Sequence, residues 1–353
     1  MDSKISAATL KDVAQKAGVS LSTASRVLSD ADYPVSRALR ARVINASKEL
    51  NYIPNALGKM LKNNLSDAIG IIVPTLQNPF YNQVIFGIEA VATKSGRELR
   101  LLSSHRSVEQ ERKHILSLLH SHIMSLIILS IDSSSDVLEQ YISYGGKVAL
   151  LEANFEMENV ITAETNYFVA GELATRHLLD LGHRHIAFLT SPLTKPFRRS
   201  TLNGTLKTME KSGLRLQEED IFIAEAEQES ETGMYEFETG RLLAERVLAS
   251  PKKYTALITI NDIMAFGVIQ TLMQHGISVP DDISVIAFDN IIYSEMISPP
   301  LTTVNLPSST MGSAACRMLI SEIEFGKSNM QSMTFRFPCT LITRQSTAAP
   351  RQL

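Results

Sequence analysis

The sequence predicts a small all-α unit at the N-terminus, built on a helix-turn-helix, followed by an α/β body of two doubly wound parallel-sheet lobes. Three observations carry this expectation. Charge is divided along the chain: residues 1–64 hold ten Lys and Arg against five Asp and Glu, a net +5, and the other 289 residues are net −8. Small apolar side chains recur at helical spacing on both sides of one glycine, Gly18. Beyond residue 67, short apolar runs alternate with amphipathic stretches long enough for helices, the pattern of strands buried between two helical layers. With 353 residues and 44% hydrophobic content the chain can fill two or three folded units.

In the N-terminal unit, Leu10, Val13, Ala14 and Ala17 share one face of a first helix, and Gly18 stands where a helix ends in a left-handed turn. Ser20 can cap a second helix by accepting a backbone N–H bond, with Ala24, Val27 and Leu28 turned inward. The face left outward carries Leu21, Ser22, Ser25 and Arg26, with Thr23 beside them. Hydroxyls are poor helix-interior residues, but they suit a surface that approaches a duplex closely, bonding to phosphate oxygens or base edges without bulk. A third helix is predicted over residues 36 to about 50, capped by Ser36, with Leu39, Val43, Ala46 and Leu50 inward and Arg37, Arg40 and Arg42 outward. The basic charge of this unit fits a polyanion partner. Pro54 closes it at residues 1–54, and residues 55–65 read as a hinge and linker. Residues 55–61 allow less than two helical turns, too short to hold in water, so they should order only against DNA or a second copy of the chain.

The body, residues 66–353, has apolar runs at 68–73, 99–102, 126–129, 148–151, 186–189, 256–260 and 283–288. Their number suits two lobes: a first of about 66–165 and 305–332, and a second of about 166–304 and 333–346, with one last strand near 334–342. Ligands of open α/β sheets bind beyond the carboxyl ends of the strands, which two such lobes turn onto a shared cleft. Phe80 and Tyr81 follow the first run, where aromatic faces stack on sugar rings or bases. Asn261 and Asp289 stand just past "ALITI" and "ISVIAF", placed to fix ligand hydroxyls.

Other classes find little support. Cys316 and Cys339 cannot build a disulfide framework, the start "MDSKISAATL" has no apolar stretch behind a basic one, and the longest apolar run, residues 123–131, is short of the roughly 20 residues a span needs. A cytoplasmic protein without a membrane partner is expected. No nucleophile elbow, phosphate loop, dinucleotide glycine pattern or metal spacing is present: Gly145 and Gly146 read as a turn, His183 and His185 follow a helix end, and His105, His114, His120 and His122 read as the surface of one helical hairpin. Neither a catalytic residue nor a cofactor nor a metal is expected. A solute-binding protein would account for the body but not for the N-terminal unit.

The strings "TLKDVAQKAGVSLSTASRVL", "ELNYIPNALGKML", "IGIIVPTLQNPFY", "GELATRHLLDLGHRHIAFLT", "NDIMAFGVIQTLMQHGISVPDDISVIAFDN" and "PPLTTVNLPSSTMGSAA" together resemble the lactose and galactose repressor (LacI/GalR) family of transcription regulators. The likeness covers essentially the whole chain in the family's order. It implies that the second helix lies in the major groove, with Leu21 and Ser22 tuning operator preference, Ser25 and Arg26 as further groove contacts, and Thr9, Ser20 and Thr23 facing phosphates. Asn55 and Leu61 fall in the family's hinge helix, Leu61 as the apolar wedge that enters the minor groove and bends the duplex. Gly58 stands where the family has alanine, a change of about 0.5–1 kcal/mol against helix formation.

The resemblance further implies a homodimer on a near-palindromic double-stranded DNA operator, controlled by a small-molecule effector, usually a sugar or sugar derivative, in the cleft. Asn166 and Thr201 stand at effector-facing positions of the family, and with Phe80, Tyr81, Lys195, Asn261 and Asp289 they make up the expected effector site. An Arg and an Asp of the family are replaced together, by Thr201 and Asn166, whereas losing one alone would strand a buried charge. Lys195, Arg198 and Arg199 supply other cations nearby, which leaves an acidic or phosphorylated effector open. The closing "LITRQSTAAPRQL" shows no heptad extension, so a dimer is the simplest assembly.

Overall fold

The computed structural model describes residues 9–28, 35–50, 67–153, 155, 157–225, 234–325 and 332–351. The chain divides into two compact units, Met1–Leu65 and Ser66–Leu353.

In the first unit, α1 (Leu10–Ala17), α2 (Leu21–Leu28) and α3 (Arg37–Glu49) enclose Val13, Ala14, Ala17, Ala24, Val27, Val43 and Ala46, with Leu10, Leu28, Leu39 and Leu50 closing the edges. The alanines let the helix axes approach closely, so the core is small and intolerant of added volume. A capping box opens α1: Thr9 Oγ1 accepts from the Asp12 N–H at 3.3 Å, and Asp12 Oδ2 accepts from the Thr9 N–H at 2.8 Å. Gly18 ends the helix at φ 61°, its N–H directed to the carbonyls of Ala14 and Gln15, a conformation that strains any residue with a Cβ. Ser20 and Ser36 cap the next two helices, accepting from the N–H groups of Thr23 and Leu39 at 3.2 and 3.3 Å. The expected hinge, with Asn55, Gly58 and Leu61, lies outside the described residues.

The second unit holds two six-stranded sheets. β1 (Ile69–Val73), β2 (Leu99–Ser103), β3 (Ser125–Ile128), β4 (Lys147–Leu151), β5 (Ile161–Thr165) and β11 (Met333–Phe337) form the first, in the order β11-β5-β4-β3-β1-β2. All of its neighbours are parallel. The second, ordered β12-β10-β9-β8-β6-β7, holds β6 (Ile186–Thr190), β7 (Ile221–Ile223), β8 (Ala256–Thr259), β9 (Ser284–Asp289), β10 (Thr302–Asn305) and β12 (Thr340–Ile342). Only β12 runs antiparallel, against β10. Helices α4 (Pro79–Lys94), α5 (Val108–His120), α6 (Asp136–Ser143) and α11 (Ser308–Phe325) belong to the first lobe; α7 (Tyr167–Asp180), α8 (Pro196–Lys211), α9 (Tyr235–Leu248) and α10 (Asp262–Gln274) belong to the second.

Three points differ from the sequence-based expectation. The single last strand is two strands, because Pro338 has no N–H to give a ladder and interrupts it. Residues 333–337 therefore pair with β5 in the first lobe, and only β12 returns to the second. The strands β5, β7 and β10 lie outside the apolar runs; in β10 the threonines are satisfied internally, Thr303 Oγ1 donating to Asp262 at 2.6 Å and the Thr302 N–H to Ser346 Oγ at 2.8 Å. Finally, the histidines of the expected helical hairpin lie on one helix and its flanking loops: α5 carries His114 and His120, and His105 and His122 sit outside it at positive φ. His183 is buried and bonded to Thr255, Ser284 and the Ala348 carbonyl, which fastens the C-terminal segment to the second lobe.

The chain passes between lobes at Asn166, at residues 306–307 and at residues 338–339. Cys339 Sγ donates to the Asn166 carbonyl at 3.5 Å and ties two of these crossings together. In the second lobe α7 and α8 cross through glycines: a Cβ on Gly171 would stand 2.1 Å from the Thr201 carbonyl oxygen, and one on Gly204 2.0 Å from that of Phe168. This close crossing brings the heads of both helices together, with the rings of Tyr167 and Phe197 5.2 Å apart.

Candidate functional site

Two surfaces concentrate chemistry, one in each unit. On the first, α2 exposes Leu21, Ser22, Ser25 and Arg26, with Thr23 half-buried. Leu21 is 52% exposed, a large apolar side chain left outside the core of the unit. At the head of the helix Ser20 Oγ bonds Ser22 Oγ at 2.9 Å and Thr23 Oγ1 at 2.8 Å, and the first turn contains no acidic residue. Short hydroxyls around a helix N-terminus free of carboxylates make a surface suited to phosphate oxygens. Thr9, at the head of α1, is also exposed, with its hydroxyl engaged by Asp12 at 2.6 Å inside the capping box.

The second surface is a cavity of about 90 Å³ between the lobes, lined by segments from residue 74 to residue 306. All of these lie near carboxyl ends of strands or heads of helices. The first lobe contributes Phe80 and Tyr81, whose rings meet edge to face with centroids 5.5 Å apart, together with Asn78, Arg106, Ser130 and Glu152. Asn78 caps α4, accepting from the Phe80 N–H at 3.0 Å, and this fixes the aromatic pair against the opening. The second lobe contributes Tyr167, Lys195, Phe197, Arg198 and Thr201, and beyond them Glu236, Asn261, Phe288 and Asp289.

Carboxyl groups dominate the electrostatics. Asp289 is 7% exposed, sits at φ 114°, and its carboxylate accepts no hydrogen bond among the described residues. Burial, then the nearby Asp262, Glu236 and Glu152, push its pKa well above the usual carboxylate range. Beneath it Asp262 is fully buried and accepts from the Ile291 N–H and the hydroxyls of Ser294 and Thr303; burial raises its pKa to about 6. Glu152, one residue past β4, accepts from the Thr165 hydroxyl at 2.6 Å and from the Tyr167 hydroxyl, yet burial pushes it up to about 8. The cations are engaged: Lys195 Nζ donates to the Ile131 carbonyl across the cleft at 2.8 Å, and Arg106 pairs with Glu236. Among the described residues no group of three or more His, Cys, Asp or Glu is placed to hold a metal, and no helix is long and apolar enough to cross a membrane.

Of the residues singled out from sequence, Phe80, Tyr81, Lys195, Thr201, Asn261 and Asp289 line the cavity. Asn166 does not: it is exposed at a lobe crossing, where its Oδ1 turns back to cap α7 by accepting from the Val169 N–H at 3.2 Å. Asn261 both lines the cavity and caps α10, accepting from the Met264 N–H at 2.8 Å. Thr201 donates to the Phe197 carbonyl at 3.0 Å, and Arg199 is exposed outside the cavity. Sequence reading missed Asn78, Arg106, Glu152, Tyr167 and Glu236. The rule that found Asn261 and Asp289, a polar residue just past a buried strand, also points to Glu152; no local signal marks Arg106 or Glu236, which sit on loops and a helix start brought in by the fold.

Comparison with known proteins adds an independent line. Residues 9–55 match the family of bacterial regulatory proteins of the lacI type, and residues 175–347 match the periplasmic binding protein-like domain. The ribose operon repressor of Escherichia coli (strain K12) is 34% identical over 319 residues, 90% of this chain and 93% of that protein. The HTH-type transcriptional repressor PurR of Pasteurella multocida (strain Pm70) is 30% identical over 317 residues, 90% of this chain and 92% of its own length. Among solved structures, the lac repressor dimer bound to operator and the anti-inducer ONPF superposes with a TM-score of 0.83 at 26% identity, over 98% of this chain and 100% of the other. A LacI family regulator from Enterococcus faecium with bound ribose gives 0.69 at 26% identity, over 80% and 99%.

Proposed function

The chain belongs to the lacI family of bacterial regulatory proteins, and from that premise we propose that it is a cytoplasmic repressor whose two surfaces have separate ligands: α2 reads an operator, and the cleft holds a small hydroxylated ring. Two copies sit on a near-palindromic site, with Leu21, Ser22, Ser25 and Arg26 toward base edges and Ser20 and Thr23 toward phosphates. The effector binds against Phe80, Tyr81 and Phe197, with Asp289, Asn261 and Glu152 accepting from or donating to its hydroxyls.

One observation carries the ligand class: Asp289, buried at the cavity wall with no hydrogen bond to its carboxyl group, is a polar group that a ligand hydroxyl would satisfy. Carboxyl groups on both walls, and cations already bonded within the protein, favour a neutral ring over a phosphorylated or acidic one. The likeness to the ribose operon repressor and to a ribose-bound regulator supports a pentose. The test is a pair of titrations on the full chain. Calorimetry should detect ribose and leave ribose 5-phosphate without heat, and a gel shift with fragments of the source genome should show binding that weakens steeply with salt and changes when ribose is added. Binding of the phosphate ester in preference to ribose would overturn the neutral-ring assignment; failure to bind any genomic fragment at low ionic strength would overturn the reading of α2.

A further inference from the structure

Several contacts join the two lobes, and one is of a different kind from the rest. Gln83 donates to the Asn290 carbonyl at 3.3 Å and Lys195 to the Ile131 carbonyl at 2.8 Å. Arg106, on the loop after β2, instead forms an ion pair with Glu236, the second residue of α9, and the two side chains are only 11% and 10% exposed. The surroundings are built for it. Asn78 Nδ2 donates to the same Glu236 oxygen at 3.3 Å, and the Arg106 guanidinium lies 5.5 Å from the centre of the Tyr235 ring. Arg106 adopts φ 56°, a region few residues with a Cβ occupy. Asn78 and Arg106 come from the first lobe, Tyr235 and Glu236 from the second, and Asn78, Arg106 and Glu236 line the cavity. Among the described residues, the side chains at positions 166 and 201 bond only to backbone groups of α7 and α8.

We propose that Arg106 and Glu236 form a latch across the cleft that holds the lobes together before any ligand arrives, and thereby sets how tightly the cleft grips its ligand. This rests on the reading of the cleft as the effector site. The pair exists only when the lobes are closed. A ligand that binds the closed arrangement has an apparent affinity proportional to the fraction of molecules already closed. Removing one partner leaves the other as an uncompensated charge in a nearly dry place, which disfavours closure strongly; exchanging the two restores opposite charges at the same distance. A residue that merely stabilises its own loop would not be rescued by such an exchange.

The test uses spin labels at exposed Gln140 in the first lobe and Glu218 in the second, placed in the full chain and read by pulsed dipolar spectroscopy without added sugar. The unmodified pair should give one short distance, Arg106→Ala should move nearly all molecules to a longer one, and the exchange R106E/E236R should return most molecules to the short one. With ribose as the probe, Arg106→Ala should weaken binding about 100-fold, and the exchange should recover at least tenfold of that. Identical distance distributions for the wild type and Arg106→Ala would overturn the latch, as would an exchange no closer to wild type than the single change. The distance measurement needs no ligand, so if ribose fails to bind, the ligand assignment falls while the latch is still decided.

Discussion

The surface on α2 and the cleft between the lobes are built in opposite ways. The first comes from consecutive residues, Ser20 to Arg26, on one helix whose buried side is held by a few alanines and valines. The cleft is gathered from strand ends and helix heads between residues 74 and 306, backed by a large continuous core. Each is therefore vulnerable in its own way: α2 depends on a thin local core that one methylene can upset, whereas the cleft depends on long-range placement of groups that are individually costly to bury.

The sharpest way to separate them is Ala24→Leu. Ala24 is fully buried where α2 meets its neighbours, and overpacking a tight core costs about 1–3 kcal/mol, a large share of what so small a unit can hold. DNA binding should be lost at ordinary temperature, while calorimetric ribose binding stays within about twofold of wild type. Loss of both would show that the units do not stand independently.

Asp289→Asn attacks the other side. Hydrogen bonds to a charged or strongly polar acceptor contribute roughly 1.5–3 kcal/mol, so ribose should bind about 10- to 100-fold more weakly, with DNA affinity in the absence of sugar unchanged. Thermal stability should rise, because the substitution removes a carboxyl held against Asp262, Glu236 and Glu152. A destabilised variant would show that Asp289 supports the fold.

Legibility follows the same division. The buried and exposed faces of α2, the turn at Gly18 and the starts of α2 and α3 can be read from spacing, because each depends on side chains within four residues of one another. Sheets of continuous apolar strands announce themselves too, but β10 does not, since its threonines gain partners, Asp262, Asn290, Arg344, Ser346 and Thr347, that only the fold brings near. In the cleft, single-residue rules reach Asn261 and Asp289, which stand at strand ends. They do not reach Arg106 and Glu236, 130 residues apart, because only the completed lobes bring those two together; and they misplace Asn166, whose type suits a ligand contact as well as the helix cap it makes.

Arg26→Ala is expected to act more selectively. A well-placed guanidinium contributes about 1–3 kcal/mol of discrimination between bases, so the ratio of operator to non-operator affinity should fall about 10- to 100-fold while ribose binding is untouched. A uniform weakening on all sequences, with a shallower salt slope, would move Arg26 from base edges to the backbone.

The smallest effect concerns protons at the cleft wall. Glu152 in the folded chain holds its proton up to about pH 8, against 4.5 ordinarily, because burial outweighs the bonds from Thr165 and Tyr167. A carboxyl whose folded value is raised favours the folded state fully at pH below its unfolded value, and that contribution is lost as pH climbs from about 4.5 through 8. Glutamine keeps the shape and has nothing to ionise. The melting temperature of Glu152→Gln relative to wild type should therefore increase steadily with pH between pH 5 and pH 9. Asp262, raised to about 6, contributes the same slope to both proteins and cancels in the difference. A difference in melting temperature that stays flat with pH would mean that Glu152 is solvated and ionised like a surface carboxylate, and the cleft would then be as wet as the face of α2.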